Sequence, residues 1–359
     1  NNMDGANSGV IERALSEAFP NREPSRLTEV GPSWNGANET VGVVFADGGR
    51  AFLKVAVTDE SRRIARECAV LRYVRAHGQL SVPAVLAADP DGDPSYLATA
   101  PAPGRGLLDA YEAADDPERE RLLRRVGAAL AALHADRFGS HGGIVGAGSE
   151  RGTAAVDDAD DRGSQSPGLA VESASWTDVL LATIDRTREI GTSERLAAHS
   201  DAVVDCVREN RASLDGAPAA LLHGDITKPN LFVTSEREET GAADTRDSVD
   251  ARDTGVAPID WELSHVGDPA RDLVRAEDQL LNGFDSTGQE RFAAALREGY
   301  RDRAGSLPAG FERRRPVYEV VRMLGRSGFI DQWATYLDEP VDALAERADA
   351  ELRRRLDAV

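Results

Sequence analysis

The run AALLHGDITKPNLFVT (219–234) sets a polar octet, His223 to Asn230, between two short apolar segments. Short apolar runs bounded by turn residues read as buried strands, so the octet reads as the loop between them. A third apolar run, APIDW (257–261), follows the polar, acidic segment SEREETGAADTRDSVDARDTGV (235–256). That segment reads as an insertion at a hairpin tip that projects into solvent.

Further out, VGVVFADGGRAFLKVA (41–56) reads as a hairpin, with Asp47-Gly48-Gly49 supplying a turn that tolerates positive φ. In residues 59–77, Ile64, Cys68, Leu71 and Val74 share one helical face, and Gly78 ends the helix. SYLATAPAPGRG (95–106) reads as a strand running into a Pro/Gly connector, which puts a lobe boundary between 1–100 and 101–359. The next helix is expected to begin at Asp116-Pro117, with the aspartate as its cap and Leu122, Val126, Leu130 and Leu133 as its buried stripe. Residues 145–172 are small and acidic and read as a surface loop. Helical patterns occupy 175–189 and 194–213, and resume from Pro269 to the end with breaks near Gly283, Gly305–Gly310 and Pro340. The expected fold is α+β and bilobal: a β-rich first lobe with one prominent helix, then a larger, mainly α lobe.

Composition narrows the function. The chain has 359 residues, 42 Lys+Arg and 62 Asp+Glu, for a net charge of −20. An acid excess of this size argues against a nucleic-acid binder and against docking on anionic lipid. The longest apolar stretch, Val126–Leu133, is far short of a membrane span. No basic-then-apolar leader is visible, and two cysteines, Cys68 and Cys206, make no disulfide framework, so a cytoplasmic protein is expected. Lysine occurs only at Lys54 and Lys228; the other basic residues are arginine. GC-rich coding explains the deficit but not the positions of the two survivors. Acid-rich, lysine-poor composition also suggests adaptation to a high-salt cytoplasm.

The octet carries the chemistry. His-x-Asp with an asparagine five residues after the aspartate matches the catalytic loop H-R-D-x-x-x-x-N of phosphoryl-transfer enzymes. In such a loop Asp225 sits beside the acceptor hydroxyl and takes its proton, while Asn230 offers Mg²⁺ a neutral oxygen. Asp260, at the end of the APID strand, is placed to bridge Mg²⁺ to phosphates. Lys54, on the strand Ala51-Phe52-Leu53-Lys54, is a candidate phosphate contact, and Glu67, 13 residues on, a candidate partner for it. Asp272, in the first turn of a helix begun by Asp268-Pro269, complements the helix dipole. His223 reads as a hydrogen-bonded support of its loop. Cys68 reads as core, and so do Trp176, Trp261 and Trp333 in preference to a cation pocket.

The stretches FLKVA (52–56), ALAALH (129–134), LLHGDITKPNLFV (221–233) and PIDWELSHVGDPARDL (258–273) together resemble the aminoglycoside phosphotransferase and choline kinase superfamily, relatives of the protein kinases. The resemblance covers about residues 25–340. It implies a two-lobed kinase-like fold with ATP in the cleft. Asp225 is then the catalytic base, Asn230 and Asp260 hold Mg²⁺, Lys54 holds the ATP phosphates, Glu67 positions Lys54, and Asp272 buttresses the catalytic loop. The expected partner is a small-molecule hydroxyl acceptor: an amino sugar, an amino alcohol or a sugar. The loop at 31–40 lacks a clean G-x-G-x-x-G, and Asn38 is its candidate phosphate contact. Lys228 stands three residues after Asp225, where protein kinases place a lysine two after; it either reaches the transferring phosphate or is a solvated loop residue. A protein kinase lacks support because no A-P-E segment is recognisable at the expected place. A non-catalytic nucleotide-binding regulator is disfavoured because Asp225, Asn230, Asp260 and Lys54 are all retained.

Overall fold

The structure, a computed structural model, describes residues 7–29, 38–58, 62–78, 80–149, 167–234 and 254–359. Most of the 31–40 loop and of the acidic segment 235–256, and the middle of 145–172, therefore lie outside the described residues.

A helix α1 (Ser8–Ala18) opens the chain and is followed by the strands β1 (Pro24–Glu29), β2 (Asn38–Phe45) and β3 (Arg50–Ala56). Helix α2 (Arg62–His77) then leads to β4 (Val85–Asp89) and β5 (Tyr96–Thr99). The five strands form an antiparallel sheet in the order β1-β2-β3-β5-β4. The expected hairpin is β2–β3, in register from Asn38 opposite Ala56 to Val44 opposite Arg50. Alternation along it sends Val41, Val43, Leu53 and Val55 into one apolar cluster with Ile11, Ala14 and Leu15 of α1. On α2, Ile64, Cys68, Leu71 and Val74 are buried as expected, and Gly78 ends the helix at φ +64°. They join the second, larger cluster, which continues into the helical part of the chain.

That part begins with β6 (Arg105–Gly106), α3 (Leu107–Ala113) and α4 (Asp116–Leu133). Proline stands in the first turn of α4, but its cap is Asp115, not Asp116: the Asp115 side chain accepts the Glu118 N–H. A carboxylate one position earlier is extended and can fold back on the first turn, whereas Asp116 is already helical. The stretch 145–172 also departs from expectation. Its first residues belong to β7 (His141–Gly148), and its last belong to β8 (Gly168–Ala174), which pairs with β7. Glycines, small residues and Glu172 hide this strand pair because its outer positions face solvent.

After α5 (Trp176–Ile190), α6 (Ser200–Glu209) and α7 (Arg211–Asp215) come β9 (Ala220–Leu222), β10 (Leu231–Val233), β11 (Val256–Pro258) and β12 (His265–Gly267). The three apolar runs of the sequence are β9, β10 and β11. They divide between two small sheets, β11-β10-β6 and β8-β7-β12-β9. The chain closes with α8 (Pro269–Leu281), α9 (Glu290–Ala304), α10 (Phe311–Ser327), α11 (Ile330–Leu337) and α12 (Val341–Leu356). Helices α4 and α9 meet through glycine: a Cβ on Gly127 would lie 2.0 Å from Leu296 O, and one on Gly299 would lie 1.9 Å from Arg124 O. Bare backbone at both positions lets the helices touch and sets α4 firmly behind the octet. No helix among the described residues is long and apolar enough to cross a membrane.

Candidate active site

Strand β9 delivers His223, and the octet then turns through a short 3-10 segment, Lys228–Asn230, into β10. Gly224 makes that turn at φ +81°, and a Cβ there would stand 2.6 Å from Leu263 O, so only glycine fits. The His223 ring is buried between two bonds: Nε2 donates to Ile259 O at 3.0 Å, and Nδ1 accepts the Asp225 N–H at 3.2 Å. These bonds fix the neutral tautomer, and burial pushes the imidazole below its ordinary value. His223 thus bonds both to the residue before Asp260 and within its own loop.

Asp272 lies beneath the loop. Its Oδ2 accepts His223 N–H and its Oδ1 accepts Gly224 N–H, both at 2.9 Å. His134 Nε2 adds a contact at 3.3 Å. Burial would raise this carboxyl, but His134 and the loop N–H groups outweigh it and hold it well below the carboxylate range.

Asp225 projects above. Asn230 Nδ2 reaches its Oδ2 at 3.0 Å and its carbonyl at 3.1 Å. The Asn230 carbonyl in turn accepts Ile259 N–H at 2.9 Å, which draws the residue before Asp260 alongside the octet. Asp260 has φ +63°, a left-handed backbone uncommon outside glycine, and asparagine or aspartate tolerate it best. That turn aims its carboxylate at Lys54, with Oδ1 2.7 Å from Nζ. Lys54 also meets Glu67 Oε2 at 2.6 Å and Glu262 Oε2 at 3.5 Å. Burial alone would lower the ammonium, yet the three carboxylates, Glu67 foremost, hold it well above its ordinary value and firmly charged.

Asn38 opens β2 and is buried; its Nδ2 donates to Glu262 Oε2 at 3.0 Å. Lys228 turns away from this centre. Its ammonium sits 4.6 Å from the centroid of the Tyr111 ring of α3, and burial lowers it from the usual lysine value. Trp176 and Trp261 are fully buried and Trp333 is partly buried against the core.

Three residues at this centre carry no sequence expectation. Glu262 accepts Arg63 Nη1 at 3.0 Å as well as Asn38, and its carbonyl accepts Arg66 Nη1 at 2.8 Å, so it ties α2 to the turn after Asp260. Arg275 Nη2 and Gln279 Nε2 both reach Asp225 Oδ1, at 3.2 and 2.6 Å. The available signal was spacing: both lie on the helix of Asp272, three and seven residues on, and therefore on its face.

The residue types at this centre are oxygen donors around one lysine, chemistry suited to phosphate and a hard cation. Solved structures of similar architecture include phosphotransferases. A protein from Thermobifida fusca YX-ER1 described as a fructosamine-3-kinase by assignment aligns over 97% of this chain and 100% of its own at 19% identity, TM-score 0.55. The ADP-bound aminoglycoside phosphotransferase APH(2″)-Ib aligns over 99% of both chains at 15% identity, TM-score 0.54. The macrolide 2′-phosphotransferase MphH from Brachybacterium faecium aligns over 95% of this chain and 97% of its own at 18% identity, TM-score 0.51. At these identities the likeness establishes the fold: an antiparallel N-terminal sheet and a mostly helical C-terminal part, arranged as in the protein kinases. A comparison with curated protein sequences gives no match. The profile of the phosphotransferase enzyme family, however, matches residues 31–244. The chain belongs to that family and is a phosphotransferase enzyme.

Proposed function

We propose that this enzyme transfers the γ-phosphoryl group of ATP, with Mg²⁺, to a hydroxyl of a small molecule in the cytoplasm. Residues 1–100 would hold the nucleotide, and 101–359 would carry the catalytic loop and the acceptor. One observation carries the reading: the hydrogen bond from Ile259 N to Asn230 O sets Asn230 and Asp260 side by side. Asp225 hangs on the first and Lys54 on the second.

The residues suit both reagents. Asn230 spends its side-chain nitrogen on Asp225, which would leave its side-chain Oδ1 for a cation. Asp260 adds a carboxylate whose side chain is 37% exposed. Two hard oxygen donors on neighbouring segments are what Mg²⁺ takes alongside substrate phosphates. Bound there, Mg²⁺ would neutralise charge on the phosphate oxygens. Lys54 would exchange its bond to Asp260 for a phosphate oxygen, while Glu67 keeps the ammonium in place. Asp225 would orient the acceptor hydroxyl and take its proton as the oxygen bonds to phosphorus. Asp272 keeps the loop beneath that aspartate fixed. Asn38 lies one residue past the undescribed loop and would act on the phosphates through Glu262 and Lys54.

The test is ADP release from ATP by the purified chain, with and without Mg²⁺, over hydroxyl metabolites and antibiotics. The reading expects Mg²⁺-dependent release stimulated by particular acceptors. ATP binding without any release above the uncatalysed rate would favour a non-catalytic nucleotide-binding protein instead.

A further inference from the structure

The two oxygens of Asp225 have different neighbours. Asn230 occupies Oδ2, whereas Oδ1 takes both Arg275 Nη2 and Gln279 Nε2. A carboxylate oxygen has two lone-pair positions, so Oδ1 is filled. An acceptor hydroxyl that reaches Oδ1 must displace one of these donors.

Arg275 is also crowded by like charge. Helices α8 and α10 bring Arg271, Arg322 and Arg326 close to it. Burial, and after it Arg275, pushes Arg271 and Arg322 down to about 10 each. Three carboxylates serve these four guanidiniums: Asp225 on Arg275, Asp278 on Arg322 and Arg326, and Asp272 near Arg271. Arg322 Nε and Arg326 Nη2 share one oxygen of Asp278, each at 2.8 Å. Arg271 Nη1 donates to His265 Nε2, a neutral ring nitrogen, at 2.9 Å. In a chain with a net charge of −20, this is a buried cationic cluster around the one guanidinium that touches the proposed base.

We propose that Arg275 is a specificity-determining residue, and that the acceptor carries an anionic group, carboxylate or phosphate, close to the hydroxyl that is phosphorylated. This rests on Asp225 being the residue that meets the acceptor. A guanidinium with a side chain only 20% exposed that loses its carboxylate needs another anion. The acceptor's own charge supplies one, and Oδ1 is released to the hydroxyl only when that charge arrives. Gln279 is neutral and stays as the orienting donor. A cationic amino sugar would instead meet the like charge of Arg275.

A matched three-carbon series tests this: glycerate, glycerol phosphate, glycerol and aminopropanediol. Two measurements at constant ionic strength are made on the wild-type enzyme, Arg275→Gln and Arg275→Lys. One is thermal stabilisation by each probe without nucleotide; the other is ADP release from Mg·ATP. The anionic probes are expected to stabilise the wild type most. Their advantage over glycerol in kcat/KM, or in binding where turnover is absent, should be about tenfold to a hundredfold, the span of one charge-assisted hydrogen bond. Arg275→Gln should abolish that advantage mainly through the acceptor KM, and Arg275→Lys should keep part of it. Equal or better performance by aminopropanediol, or an anion preference unchanged in Arg275→Gln, overturns the proposal. Selective stabilisation by anions without any ATP turnover would instead count against the phosphotransferase reading of the site and leave the anion site standing.

Discussion

Lys54 Nζ lies 2.7 Å from Asp260 Oδ1, across 206 residues of chain. One of only two lysines in an arginine-rich protein thus joins β3 to the turn that follows β11. An ammonium is a compact point charge, whereas the guanidinium fork is wider and reaches further.

Lys54→Arg is therefore expected to keep the charge and lose activity, by about tenfold or more in kcat/KM. An ATP analogue with an acylated phosphate end should label Lys54, and excess Mg·ATP should block it. Lys228, seated over Tyr111, should label far less. Peptide mapping reads both sites. Equal labelling of Lys54 with and without ATP would remove the nucleotide site's anchor.

Asp272→Asn should weaken the whole loop. The amide offers one acceptor oxygen where the carboxylate bonds two backbone N–H groups, at His223 and Gly224. One buried donor is left unmatched, at about 1–3 kcal/mol. Denaturant unfolding should show that loss, and kcat should fall with it. Because the folded carboxyl is held well below its ordinary value, its contribution is present above about pH 4 and fades as pH falls further. An unchanged midpoint in the variant at neutral pH would show that Asp272 does not brace the loop.

His265 gives a second pH dependence, in a higher window. Its Nδ1 bonds Leu263 O at 2.9 Å and its Nε2 accepts from Arg271, so the folded ring is neutral. Burial, then Arg271, pushes it down to about 3. Between about pH 6.5 and that value the unfolded chain binds a proton that the folded chain does not. Stability should fall with falling pH by up to about 1.4 kcal/mol per pH unit from this group. Urea unfolding of wild type and His265→Asn at several pH values should show a shallower slope in the variant. Equal slopes would mean that His265 titrates normally.

Much of this was legible in the sequence. The β2–β3 hairpin, α2 and the stripe of α4 follow from period and turn residues, because each buries one face against a core. The octet and Asp260 could be singled out by their spacing, and the structure brings them together through the Ile259 N–H bond to Asn230 O. By contrast, the β7–β8 pair was hidden, since its glycines, small residues and exposed Glu172 mimic loop composition. No expectation covered α1, whose apolar stripe Ile11, Ala14, Leu15 and Ala18 is short. Glu262, Arg275 and Gln279 were missed for another reason. Polar and charged residues abound here, and only the tertiary fold shows which of them turn inward. Glu262 meets Asn38 from 224 residues away, a pairing that no local pattern encodes.

Salt should stabilise this protein. Exposed pairs such as Arg22–Asp47, at 2.8 Å, lose strength on screening but contribute little each. Self-repulsion at a net charge of −20 is larger and is screened too, with the Debye length falling to about 3 Å at 1 M salt. The melting temperature should rise between about 0.1 and about 2 M KCl and keep rising past about 0.5 M. A flat profile would mean acidity without salt adaptation.

The assignment of Asp225 as the base is tested most directly by Asp225→Asn. The substitution keeps the shape and removes the proton acceptor, while Lys54, Asn230 and Asp260 remain to hold nucleotide. Single-turnover transfer from Mg·ATP to the best acceptor should fall by at least about 10² to 10⁴-fold, the range of a general base. ATP affinity, measured on the same preparation, should stay within about threefold, under 1 kcal/mol. Transfer at the wild-type rate would contradict the account, because the carboxylate at the centre of this site would then have no part in the chemistry.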